Sequence, residues 1–195
     1  ISDLSSPHLF SDMPGALSLV KKAQENKEKV MVFGDYDVDG ITSTVLLKNT
    51  LTEMGLEVLH HIPHRINEGY GLNPEIVRFA NENQVKLMVT ADCGIANHKE
   101  VEALRQANID VIVTDHHEIS TDGPPKSAYA VVNPIRLDSS YDKHICGAGV
   151  AFLTVAKVRT ALMQQGVRAN VPSLASLLDY VAVATIADCV SMKPT

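Results

Sequence analysis

Apolar residues along this chain follow two alternating rhythms. Short runs at about 29–34, 56–62, 86–90, 109–114 and 128–132 have the length and apolar content of strands, the first of them a buried one. Between them the apolar positions spread out to helical spacing. Leu17, Leu19, Val20 and Ala23 oppose Lys21, Lys22, Glu25 and Lys27, which predicts a surface helix over 13–27. Ile41, Val45, Leu46 and Leu51 predict a second over 41–54, stopped by Gly55. Asn73 reads as an N-cap with Pro74 in the first turn of a helix to about Asn81, and a fourth helix is expected over 97–107. After the fifth strand the pattern becomes helical throughout: a helix from Gly147 to about Gln165, a connector over 166–172, and a last long helix from Ser173 towards Asp188. Strands and helices alternating at this pace predict an α/β fold, a doubly wound, mainly parallel sheet flanked by helices, with a C-terminal helical part.

Acids and imidazoles stand where the strands end. The first run leads into Gly34-Asp35-Tyr36-Asp37-Val38-Asp39-Gly40, the third into Ala91-Asp92-Cys93-Gly94, the fourth into Asp115-His116-His117-Glu118. In open α/β sheets ligands bind outside the carboxyl ends of the strands, so three such placements in successive units point to one site. Three carboxylates alternating beside a buried strand repel one another, and divalent cations are the simplest remedy. Asp-x-Asp-x-Asp-Gly also opens a calcium-binding helix-loop-helix, but position 12 of that loop is Leu46 instead of Glu, and a strand precedes it. The calcium loop is excluded. Asp188, near the end of the last helix, is a helix-terminal acid when taken alone.

Composition narrows the class. The chain has 195 residues, 45 % of them hydrophobic, as an ordinary globular chain does. No run approaches membrane-spanning length and no signal-peptide pattern opens the chain. Three cysteines, Cys93, Cys146 and Cys189, form no C-x-x-C pair and suit a reducing cytosol. Cys93 and Cys189 neighbour candidate ligands but read as small buried hydrophobes. The net charge of −6 falls to −1 once Asp35, Asp37, Asp39, Asp92 and Asp188 are assigned to a cation site. That balance excludes a strongly basic DNA coat and nothing more. His60 and His61 lie on opposite faces of a strand and cannot chelate together; with His64 they read as surface or strand-end residues.

Taken in order, the three acid-bearing motifs and Ala187-Asp188 resemble the DHH phosphoesterase superfamily over nearly the whole chain. Further stretches, 65–72, Val132-Asn133-Pro134 and 147–152, are similar to its RecJ branch of single-strand-specific 5′ to 3′ DNA exonucleases. Pyrophosphatases and short-oligonucleotide phosphodiesterases of the superfamily place a histidine four residues before Asp37, where this chain has Phe33. Two smaller departures are Cys93, where the branch usually has Asn, and Ser191-Met192, where Pro-Leu is common.

The resemblance implies a site of two cations, Mn²⁺ or Mg²⁺, held by Asp35, Asp37, Asp39, Asp92, His116, His117 and Asp188, with Asp115 orienting a histidine from behind. Two cations about 4 Å apart can activate a water and stabilise the leaving oxygen of an in-line displacement. Catalysis would fall to Asp37, Asp39, Asp92, His116 and His117. Arg65 is expected to clamp phosphate and Tyr70 to stack on a base. Gly147 and Gly149 either cradle phosphate or allow tight helix packing. The resemblance further implies single-stranded DNA as substrate, repair and recombination as setting, a single-strand-binding protein and a recombination helicase as partners, and a bacterial cytoplasm. The whole chain, 1–195, then reads as the catalytic domain, its helical connector and last ligand helix at about 147–190, cut from a longer protein with a DHHA1 domain and an oligonucleotide-binding fold. Alternatives are a small-substrate phosphohydrolase and a replication-associated relative without metals.

Overall fold

A computed structural model describes residues 6–164 and 173–191. Five strands, β1 (Lys29–Gly34), β2 (Glu57–His61), β3 (Val85–Ala91), β4 (Asp110–Thr114) and β5 (Ala130–Val132), form one sheet in the order β2-β1-β3-β4-β5. Every neighbouring pair is parallel, as connection through helices requires. Helices α1 (Met13–Glu25), α2 (Val38–Glu53) and α5 (Gly147–Gln164) cover one face, α3 (Pro74–Glu82) and α4 (His98–Gln106) the other.

Strand alternation divides the core. Val30 and Val32 join one apolar cluster with Leu46, Leu47 and Leu51 of α2 and with Val150, Val155 and Val158 of α5. Met31 and Phe33 join the other, with Ile76 and Ala80 of α3 and with Val101 and Leu104 of α4. The chain reverses direction across the sheet between β1 and β3. That is the switch point, where loops diverge and leave a crevice at the carboxyl ends.

Sheet and helices lie where the pattern predicted them, with two differences. The second helix starts at Val38, three residues before Ile41, because Asp37 caps it. The expected long helix from Ser173 is broken into a 3-10 turn, Leu174–Leu177, and α6 (Leu178–Ala187). The Ser173 side chain accepts from Ala175 N and tightens the first turn. The predicted connector over 166–172 lies outside the described residues. No helix among the described residues is long and apolar enough to cross a membrane.

Candidate metal centre

Each acid of the first corner is held differently. Asp35 is buried and accepts from Tyr36 N at 2.7 Å. Asp37 is exposed, extended in backbone, and caps α2 by accepting from Gly40 N at 2.8 Å. Asp39, 1 % exposed, sits in the first turn of α2 and accepts from Gly147 N at 2.6 Å and Ala148 N at 2.7 Å. Its carboxylate thus lies between the N-termini of α2 and α5, both of which favour negative charge.

The other corners are locked by extension of the sheet ladder. Asp92 N donates to Thr114 O at 3.0 Å and Asp115 N to Val132 O at 3.2 Å. Asp92 adopts φ +64°, a strained conformation for a residue with a side chain. A Cβ on Gly147 would lie 2.4 Å from Asp92 Oδ1, so only glycine lets α5 start this close. Fully buried Asp115 accepts from Ile95 N at 2.9 Å and from His117 N and Nδ1 at 3.0 and 2.7 Å. That last bond assigns the imidazole proton to Nδ1 and leaves Nε2 available to a ligand. Asn133 Nδ2 donates to His117 O at 3.0 Å.

These elements converge on His116. Its Nε2 lies 3.2 Å from Asp92 Oδ1, 3.6 Å from Asp188 Oδ2 and 3.7 Å from Asp39 Oδ2. Asp188 arrives from the C-terminal end of α6. The donor atoms form three overlapping triads: Asp92 with His116 and His117, Asp39 with His116 and Asp188, Asp35 with Asp37 and Asp92. Asp92 and His116 each belong to two triads. All seven residues expected as ligands are therefore brought together, with Asp115 standing behind them.

Burial raises the carboxyls of Asp35 and Asp39 above the usual carboxylate range and pushes Asp92 up to about 7. Burial works against the His116 cation, but Asp92 beside it outweighs that and raises the imidazole. The bond to Asp115 raises His117 to about 9. Asp92 Oδ1 and His116 Nε2 are buried and lack a hydrogen-bond partner; at 3.2 Å from each other they are not aligned for one. Orphaned polar atoms converging with four further carboxylates fit a divalent cation. Carboxylate oxygen with imidazole nitrogen suits Mn²⁺, while Mg²⁺ favours the oxygens and water.

The remaining candidates flank this cluster. Arg65 Cζ lies 5.2 Å from the Tyr36 ring centroid, a cation–π contact. Tyr70 stands edge-on to Tyr36 and His117, with its hydroxyl 3.5 Å from His117 Nδ1. Burial and the surrounding acids raise its phenol, so it remains a donor. For Gly147 and Gly149, expected either to cradle phosphate or to allow tight helix packing, the contacts favour packing. The Gly147 amide is taken by Asp39, and Gly149 packs on Ile145, so close packing explains both glycines. His61 bonds Glu68 at 2.7 Å and stacks on Phe33, away from the acids. Cys93 is buried, whereas Cys189 is exposed, contrary to its reading as a buried hydrophobe. Sequence reasoning gave no role to Tyr36 or Asn133; an Asn between an apolar strand and Pro134, in a stretch already singled out by resemblance, was the available signal for the latter.

A parallel sheet whose switch point gathers acids and imidazoles from four chain corners defines a doubly wound α/β protein with a divalent-metal site. The model of the DHH family, N-terminal domain, matches residues 29–185, and the chain belongs to that family. It is 38 % identical over 189 residues to the single-stranded-DNA-specific exonuclease RecJ of Escherichia coli, covering 94 % of this chain and 32 % of the relative. To RecJ of Bacillus subtilis it is 36 % identical, over 98 % of this chain and 23 % of the relative. The solved structure of an exonuclease RecJ bound to manganese superposes with a TM-score of 0.80 at 36 % identity, over 93 % of this chain and 44 % of that one. The chain thus spans about a third or less of the length of these curated relatives.

Proposed function

We propose that this chain carries the catalytic metal centre of a single-strand-specific DNA exonuclease that removes nucleotides from the 5′ end by phosphodiester hydrolysis. The observation that carries the reading is the pair of orphaned buried atoms, Asp92 Oδ1 and His116 Nε2, shared among triads with Asp35, Asp37, Asp39, His117 and Asp188. The names of the relatives supply the substrate class.

The residues divide the work by position. Asp92, common to two triads, would hold metal together with His116 and His117 and with Asp35 and Asp37. Bound Mn²⁺ or Mg²⁺ would supply activation of water and neutralise the leaving oxygen. Asp115 fixes the ring and tautomer of His117. Arg65 offers a guanidinium to a phosphate, and Tyr70 a donor hydroxyl with an aromatic ring beside it. In this reading the chain acts in the bacterial cytoplasm, as the DHH domain of a longer repair and recombination enzyme. Single-strand-binding protein and a recombination helicase are its partners.

The test is hydrolysis of 5′-labelled single-stranded DNA, duplex DNA and pyrophosphate, each with Mn²⁺, by the wild-type chain and Asp92→Asn. Expected is release of labelled mononucleotide from the single strand alone, abolished by the substitution and by chelation. Turnover of pyrophosphate without DNA would overturn the reading.

A further inference from the structure

The loop between β2 and α3 carries Arg65 and Tyr70, and it is fastened at both ends. At one end Glu68 Oε1 accepts from His64 N at 2.8 Å while Oε2 meets His61 Nε2 at 2.7 Å. His64 O accepts from the backbone N of Asn67 and of Glu68, at 3.1 and 2.9 Å. The His61 ring stacks on Phe33, two residues before Asp35, with centroids 5.7 Å apart. That fastening therefore reaches the strand that leads into the acids.

At the other end Asn97 pairs with Leu72 as a strand neighbour would. Its Oδ1 accepts from Leu72 N at 3.2 Å and its Nδ2 donates to Leu72 O at 3.1 Å. Asn97 is the N-cap residue of α4, yet its side chain makes no capping bond. Its Nδ2 also donates to Glu100 Oε2 at 3.2 Å, so the side chain ties the loop to the first turn of α4 instead of capping the helix amides. Gly71 completes the fit: at φ +77° a Cβ there would lie 2.5 Å from Asn97 Oδ1.

Glu68 presents a further oddity. A carboxylate is out of place in a loop meant for a phosphate backbone, unless its charge is already answered within the loop. Here the His64 amide and His61 answer it, and they hold the carboxyl below its usual range. Within the first fastening Arg65 lies over the Tyr36 ring, and between the two Tyr70 stands against His117 of the cluster.

We propose that Glu68 and Asn97 are positioning residues: they fix the loop over 62–72 so that Arg65 and Tyr70 are in place for a single strand before it binds. This rests on the single-strand reading above. Ordering the loop in advance removes an entropic cost from binding, so releasing it weakens affinity for DNA and leaves the cations untouched.

The experiment uses this chain with Mn²⁺ and a fluorescent, hydrolysis-resistant phosphorothioate oligonucleotide. Asn97→Ala and Glu68→Ala should each weaken oligonucleotide binding ~10-fold while Mn²⁺ affinity stays within about 2-fold. Glu68→Gln, which keeps an acceptor for His64 N, should recover part of the loss. Arg65→Ala should be far less costly in the Asn97→Ala background than in wild type, since a released loop no longer presents Arg65. Amide exchange should accelerate at Asn67, Glu68 and Leu72 in the variants, with β1 unchanged. The proposal is overturned if the Arg65→Ala penalty is the same in both backgrounds, if Mn²⁺ affinity falls along with DNA affinity, or if amide protection of the loop does not change. Failure of wild type itself to bind the oligonucleotide sinks the single-strand reading instead, and is seen without any variant.

Discussion

Asp92 is the residue on which the site's energetics concentrate. Burial pushes its carboxyl up to about 7, from an ordinary 3.8, and His117 stands near 9 instead of 6.5. Both folded values exceed the unfolded ones, so the metal-free fold binds extra protons between them. Stability from these groups is full below the unfolded values and is lost as pH rises through the folded ones. The thermal midpoint of the chelated chain should therefore fall between about pH 4 and 9. Carboxyls shifted the other way, Asp138, Glu68 and Glu102, lose their contribution as pH falls below their ordinary values of 3.8 to 4.5, at the acid edge of that window and below it. Saturating Mn²⁺ selects the deprotonated ligands and should flatten or invert the slope. A midpoint that rises with pH in the chelated chain would contradict the account. Replacing Asp92 by Asn removes a buried charge that only a cation satisfies. We expect a metal-free stability gain on the order of 1 kcal/mol with loss of tight Mn²⁺ binding, measured by thermal melts with and without the metal.

At the scale of elements, the site depends on how closely helices approach strand ends. The start of α5 serves two acids at once: its first amides bind Asp39, and the bare Cα of Gly147 lies against Asp92. Gly147→Ala should therefore weaken Mn²⁺ roughly 10-fold although glycine ligates nothing, as disturbing a metal site's outer contacts does. Calorimetric titration together with an unchanged circular-dichroism spectrum checks it. The edge of the sheet shows the same economy. Asp12, just before α1, accepts from Val131 N of β5 at 2.9 Å and from Arg136 Nη1 at 2.8 Å. It thereby occupies a donor that an edge strand would otherwise expose. Asp12→Ala should cost about 1–3 kcal/mol in urea denaturation.

For the whole molecule, metal and fold are linked. Acids from α2, the β3 and β4 corners and the end of α6 meet only in the folded chain, so Mn²⁺ binds the native state selectively. At a hundredfold excess over its dissociation constant, Mn²⁺ should add about 2.7 kcal/mol of stability, seen as a higher thermal midpoint that Asp92→Asn abolishes. Asp37, His117 and Tyr70 remain open to solvent on one side of the cluster. A longer protein carrying a facing domain should digest single-stranded DNA faster than this chain at equal Mn²⁺. Equal rates would show that the domain described here suffices.

What the sequence determined by itself was whatever is written at short range. Apolar runs and helical spacing specified the strands, most helix boundaries and the parallel sheet, because burial and capping act within a few residues. The acids at three strand ends marked the rim where ligands bind, because every parallel strand delivers its carboxyl end to the same side. The tertiary structure alone decided the rest. Asp39 bonds to amides more than a hundred positions away, Asn97 reaches from the start of α4 to Leu72, and the Gly147 amide is engaged by a carboxylate. Such pairings depend on which corners the folded sheet brings together, and nothing in the local spacing of residues encodes that distance.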